Sequence, residues 1–406
     1  MNAGPESAGT RPLPWKEWIG LAAEEPFRIL FPLGIFLGAA GVAVWPLFLF
    51  WGVAWAPPPV SHPRILIEGF VGSFVVGFLG TSIPRLLEVR PLRRWETGAL
   101  AGVLLLANAL HWFGRTGWGD GLFGGALLFF LWRLAGRLPQ RKDNPPPSFL
   151  LGLLGVAGAA AGAWLESAAE MGLVLPPPLR NLGLLLLYQG LALLPILGVG
   201  AFIFPRFYGL ESRESLPAAV VPTRAWLSRA LAALCTGLVL FLSFLWEATG
   251  GALGGPLLRT GTAVAYLLFA IPIAPELSAK GTVAGCTRWA LALAVSGLLF
   301  SAFSPVSRTG ALHLFFLGGA GLLILTVGAR VILGFSGRGE LLAARYWPLR
   351  QAKWWTIGAV VLRAAADRLP FRRDLLLAGA ALLWIGALLI WAWPVLPKVR
   401  CPDTEE

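Results

Sequence analysis

The sequence predicts an all-α fold, a polytopic membrane bundle of about twelve transmembrane helices, and three observations carry that reading. Of the 406 residues, 56% are hydrophobic and only 13% are charged, which is more apolar surface than a soluble domain of this length can hide. The apolar residues come in runs near the ~20 residues that a helix needs to cross a bilayer. The ends of those runs are marked by proline clusters (Pro57 to Pro59, Pro145 to Pro147, Pro176 to Pro178) and by tryptophans. Trp51, Trp55, Trp95, Trp112, Trp118, Trp132, Trp226 and Trp393 all fall near an expected boundary, as an aromatic belt at the membrane surface does.

The expected spans lie near residues 29–53, 65–87, 97–113, 120–138, 149–169, 180–204, 225–248, 257–276, 286–304, 309–334, 353–368 and 374–396. Residues 1–26 read as a cytoplasmic or interfacial N-terminal segment without a cleavable signal pattern. Residues 27–397 read as a single transmembrane domain, and 398–406 as a cytoplasmic tail. Span eleven is the most polar, with Arg363, Asp367 and Arg368.

Basic residues orient the chain. Arg85, Arg90, Arg93 and Arg94 follow span two; Arg133, Arg137, Arg141 and Lys142 follow span four. Arg206, Arg213, Arg224 and Arg229 follow span six, and Arg338, Arg345, Arg350 and Lys353 follow span ten. The intervening loops are short or acidic (Asp120, Glu166, Glu170). The positive-inside rule therefore predicts a multi-pass protein of the bacterial cytoplasmic membrane with both termini in the cytoplasm. Arg368, Arg372 and Arg373, before the last span, depart from the pattern. The net charge of +12 is explained by this loop distribution, so no nucleic-acid partner is expected; the lipid bilayer is. Cys235, Cys286 and Cys401 are too far apart for a CxxC or zinc-type spacing. No nucleotide loop, GxSxG, HExxH or paired-carboxylate motif is present.

Ionisable groups within spans are the remaining signal, because they are costly there unless paired or wetted. With the orientation above, His62 begins span two, His111 ends span three and His313 begins span ten. All three imidazoles are then expected at the outer rim of the bundle. Histidine is a common ligand of transition metals and haem iron, which makes His62, His313 and His111 candidate metal ligands. The competing reading is of interfacial histidines bonded to water or to a carbonyl, and it suits His111, flanked by belt residues in ALHWF. In span two, Gly69, Ser73, Gly77 and Gly80 line one helical face, across which a neighbour can approach closely. Arg64 and Glu68 stand four apart in the same span and are expected to pair. Arg363 requires a carboxylate, a carbonyl cage or an anionic cofactor group.

Several of these segments resemble the NnrS family of bacterial membrane proteins. They are EPFRILFPLGIFLGAAGVAVWPLF, SHPRILIEGFVGSFVVGFLGTSIP, ALHLFFLGGAGLLILTVGARVILGFSGRGE, AVVLRAAADRL and LLLAGAALLWIGALLIWAWPVLPKV, in the family's order across nearly the whole chain. The resemblance implies twelve helices, haem and copper as cofactors, and a link to tolerance of nitric oxide. The carry-over is partial. His62 and His313 match family histidines, whereas Arg64 and Phe335 stand where the family has further ones.

Three functional readings are open. The first is a redox or sensor-like protein with one haem or copper at the outer face, held by His62 and His313 and balanced by Arg64 or Arg363. The alternative is a metal-free transporter or channel for a small solute, its pathway lined by Glu68, Asn108, Gln189 and Arg330, with Pro195 and Pro272 as candidate helix breaks. The third, a non-catalytic tolerance factor acting through partners, has no soluble domain to serve it.

Overall fold

The computed structural model describes residues 12–271, 280–342 and 345–402. Every regular element among them is helical. Helix α1 (Trp15–Glu24) is short. It is followed by α2 (Phe27–Trp51), α3 (Pro58–Leu86), α4 (Arg94–Trp112), α5 (Thr116–Gln140), α6 (Phe149–Glu170), α7 (Pro177–Phe207) and α8 (Arg224–Ala248). The chain continues through α9 (Gly254–Ala270), α10 (Thr282–Phe303), α11 (Arg308–Gly334), α12 (Trp347–Ala366) and α13 (Pro370–Arg400).

A helix lies at each of the expected spans, but among the described residues only nine are long and apolar enough to cross a membrane. The other three are α4, α9 and α12. Helix α4 opens on Arg94 and Glu96, α9 has 17 residues, and α12 carries Arg350, Lys353 and Arg363. Each is short or charged for the reason that made it polar in sequence. Pro272, one of the two candidate breaks, lies outside the described residues.

Successive helices pack as antiparallel neighbours, and α13 returns against α2, so that the first and last long helices close the bundle. The centre is made by α3, α7 and α11, which are 83%, 72% and 67% buried over their most apolar stretch, against 56% or less for the other six crossing helices. These three are also the helices interrupted by π-helical turns, at Ile65–Val71, Leu186–Gly190 and Leu314–Gly321. They stand four long helices apart, each the second of a group of four. Inside a bilayer every backbone group must find a partner within the protein. A π-turn buried among neighbours keeps its bonds while turning the side chains beyond it.

Close approach sets the packing where water cannot drive it. On α3, a Cβ added at Gly69 would lie 2.6 Å from Asn108 Oδ1 of α4 and 3.0 Å from Cβ of Leu37, and one at Gly77 would lie 3.0 Å from Cβ of Leu30, so the small-residue face is approached closely by α2 and, at Gly69, by α4. Aromatic rings fill the adjoining core: Phe31 stacks on Phe74 with centroids 4.3 Å apart. Trp391 donates its indole N–H to the Leu325 carbonyl at 2.9 Å.

At the end of the bundle that carries α1, Arg28 ties three elements together. Its guanidinium is fully buried and donates to the carbonyls of Val399 (2.8 Å), Cys401 (2.7 Å) and Phe335 (3.0 Å), with Nε on Glu25 at 2.5 Å. At the same end the buried Glu96 carboxylate accepts from Arg133, from Arg137 at 2.6 Å and from the Arg93 N–H at 2.8 Å, locking α4 to α5. Exposed tryptophans ring the helix ends, among them Trp51, Trp55, Trp95, Trp118, Trp132 and Trp393.

Two substitutions test this frame by thermal unfolding in detergent. Arg28→Ala strands three carbonyls and a carboxylate and is expected to destabilise by about 3 kcal/mol or more. Gly297→Ala places a Cβ 2.4 Å from the Phe315 backbone nitrogen. It therefore pushes α10 off the π-turn of α11, an overpacking effect of about 1–3 kcal/mol.

Candidate functional site

The loop end of α3, α4 and α11 gathers all three histidines, in two separate groups. His62 lies in the second turn of α3 and His313 closes the first helical segment of α11, just before its π-turn. Their rings are near parallel, with an interplanar angle of 11° and centroids 6.2 Å apart. Each Nδ1 is tied to a backbone carbonyl, His62 to Gly41 at 2.9 Å and His313 to Thr309 at 2.7 Å. A carbonyl can only accept, so each ring is the Nδ1–H tautomer with its lone pair on Nε2. No protein hydrogen bond to either Nε2 occurs among the described residues. That is how a protein prepares an imidazole for a metal.

The spacing suits such a ligand. Two imidazoles that share one metal, each bonded at ~2.0–2.1 Å, have centroids no more than about 6 Å apart, a limit this pair meets. Trp45 lies edge-on to His62, with centroids 6.4 Å apart. Arg363 of α12 is near enough for its charge to act on both rings. It has the carboxylate it requires: Nη1 donates to Asp367 Oδ1 at 2.7 Å, and Asp367 Oδ2 accepts the Gly310 N–H at 2.7 Å.

His111 is not part of this pair. It is fully buried, with Nε2 2.9 Å from Glu68 Oε2 and 3.8 Å from Asp120 Oδ1. Arg64 also belongs to this second group, and its partner is not the expected Glu68. Its Nε donates to both Asp120 oxygens, at 3.0 and 3.2 Å, while Nη2 lies 3.6 Å from Glu166 and 3.5 Å from Glu170. The Arg180 guanidinium of α7 completes the cluster at 3.4 Å from Glu166 and 3.2 Å from Glu170. Asp120 and Glu166 were expected in loops; they are 0% and 1% exposed, on α5 and α6. Asp120 sits in the first turns of an apolar helix, and Glu166 and Glu170 share a face at i,i+4. That spacing shows in the sequence that the two acids share a face of α6, with Glu166 buried and Glu170 partly exposed.

The other polar residues do not line a common path. Asn108 donates to the Leu104 carbonyl at 2.8 Å and faces Gly69. Gln189 is buried in the π-turn of α7, and Arg330 is exposed near the far end of α11.

The sequence model of the NnrS protein family matches residues 22–402, nearly the full chain and every element described above except part of α1. No curated protein matches it. With the histidine-bearing helices α3, α4 and α11 all inside the matched region, the chain belongs to the NnrS family.

Proposed function

We propose that this NnrS-family membrane protein binds one haem, or one copper ion, between His62 and His313 and serves tolerance of nitric oxide or a related redox stress. The single observation that carries the reading is the histidine pair: two near-parallel rings 6.2 Å apart, each with Nδ1 bonded to a carbonyl. Neutral imidazoles with free Nε2 lone pairs are the donors that haem iron and copper take. Haem iron bound there would be held by His62 and His313 and would supply electron transfer. Arg363 stands beside the pair with one charge-assisted bond to Asp367 and further N–H groups for an anionic group of the cofactor.

The chain is read as a multi-pass protein of the bacterial cytoplasmic membrane, with α4, α9 and α12 crossing alongside the nine apolar helices. The basic loops then face the cytoplasm with both termini, and the histidine end faces outward. The transporter reading draws less support, because Glu68 is engaged with His111 and Arg330 is exposed near the opposite end.

Visible spectra of the detergent-purified protein, oxidised and reduced, test the reading. A Soret band with about one iron per chain is expected, or one copper without it. The signal is lost in His62→Ala and in His313→Ala but kept in His111→Ala. Protein with neither chromophore nor stoichiometric iron or copper would refute the proposal.

A further inference from the structure

We propose that Glu68, His111 and Asp120 form a second site, for one divalent cation such as Zn²⁺ or Mn²⁺, buried between α3, α4 and α5. One ligand atom from each residue lies within 4.8 Å of the others. The contacts of 2.9 and 3.8 Å from His111 Nε2 to the two carboxylates bracket the roughly 3.3–3.6 Å between neighbouring ligands of a zinc ion bonded at ~2.0–2.2 Å. Mixed imidazole and carboxylate donors suit Zn²⁺ and Mn²⁺ better than monovalent copper, which prefers thiolate and thioether.

Charge gives an independent argument. Three carboxylates here are essentially inaccessible: Glu68 at 0%, Asp120 at 0% and Glu166 at 1%. The one buried cation among them is Arg64, since the Arg180 side chain is 46% exposed and also serves Glu170. With all three ionised, two negative charges would be left over inside the bundle, where an uncompensated charge is among the most destabilising features a protein can hold. One divalent cation removes both. Of the proposed donor carboxylates, Glu68 keeps one oxygen, Oε1, buried with no hydrogen bond.

The surroundings hold the donors in place. Arg64 grips both oxygens of Asp120 and fixes the carboxylate plane, as a residue behind a metal ligand does. Gly119 leaves room for the imidazole, since a Cβ there would lie 2.4 Å from His111 Cε1. Glu170 and Arg180, with side chains 31% and 46% exposed, connect the site to the surface.

The test uses tag-free protein stripped with a chelator, titrated with zinc or manganese salt, and counted for bound metal after gel filtration. One equivalent is expected on the wild type and equally on the His62→Ala/His313→Ala double variant, which separates this site from the histidine pair. Glu68→Gln and Asp120→Asn, both isosteric, each weaken binding by more than about tenfold. Gly119→Ala weakens it by displacing the His111 ring, although all three ligand residues keep their chemical identity. No retained metal overturns the proposal, as does metal that Glu68→Gln and Asp120→Asn leave undiminished. So does a protonated-carboxyl infrared band in the zinc-treated wild type that vanishes in Glu68→Gln, because protons would then supply the missing charge.

Discussion

The constraint on which this structure depends is the neutralisation of buried carboxylates around Arg64. A guanidinium in an apolar bundle is stable only when its donors are used, and Arg64 uses its Nε on both oxygens of Asp120. That bond joins α3 to α5, and the approach of Arg64 to Glu166 and Glu170 draws in α6. With Glu68 engaging His111 of α4, three helices are registered against α3 at one end. Arg28 does the corresponding work at the other end, with carbonyls in place of carboxylates. Buried pairs of this kind add little net stability over apolar packing, but breaking one is severely destabilising. Their structural role is to fix register in a bundle whose apolar faces would otherwise slide.

The three π-turns fit the same picture. Among the described residues they occur only in α3, α7 and α11, the most buried long helices, and each lies beside polar residues that its helix contributes. Glu68 is inside the first, Tyr188 and Gln189 are inside the second, and His313 immediately precedes the third. A widened turn rotates the residues on its C-terminal side relative to those on its N-terminal side. One helix can then present an apolar face to the core along most of its length and a polar group at one level.

Much of this was legible in the sequence. Apolar runs and their punctuation located every long helix, and the small-residue spacing of α3 identified a face of close approach but not the helices that meet it. The sidedness of the three histidines also emerged, because helix alternation is a counting argument. What could not be read was lateral adjacency. Arg64 and Glu68 satisfy the i,i+4 rule, yet Arg64 pairs with a residue 56 positions away, since several helices converge on α3 and offered it a carboxylate in better geometry. Asp120 and Glu166 looked like loop acids because charge near a helix end is usually solvated. Their burial depends on α4, α5 and α6 closing over them, which no local pattern encodes. The same reasoning separates His111 from the other two imidazoles: the shared end of the bundle was predictable, position around the bundle was not.

The two histidine groups are close in sequence on α3 but belong to different sides of it. Residues of a helix advance by about 100° each, so His62 and Arg64, two apart, project to nearly opposite faces. His62 turns toward α2 and α11, where Gly41 and His313 meet it. Arg64 turns toward α5 and α6 and their carboxylates. An arginine in place of a second histidine at position 64 therefore leaves the His62 site as it is and adds charge to the opposite face. A chain with arginine there needs acids on α5 and α6 to receive it, and this chain has them in Asp120, Glu166 and Glu170. Arg64 and these acids act as one unit, and a variant that changes only one of them leaves the bundle interior with a charge it cannot place.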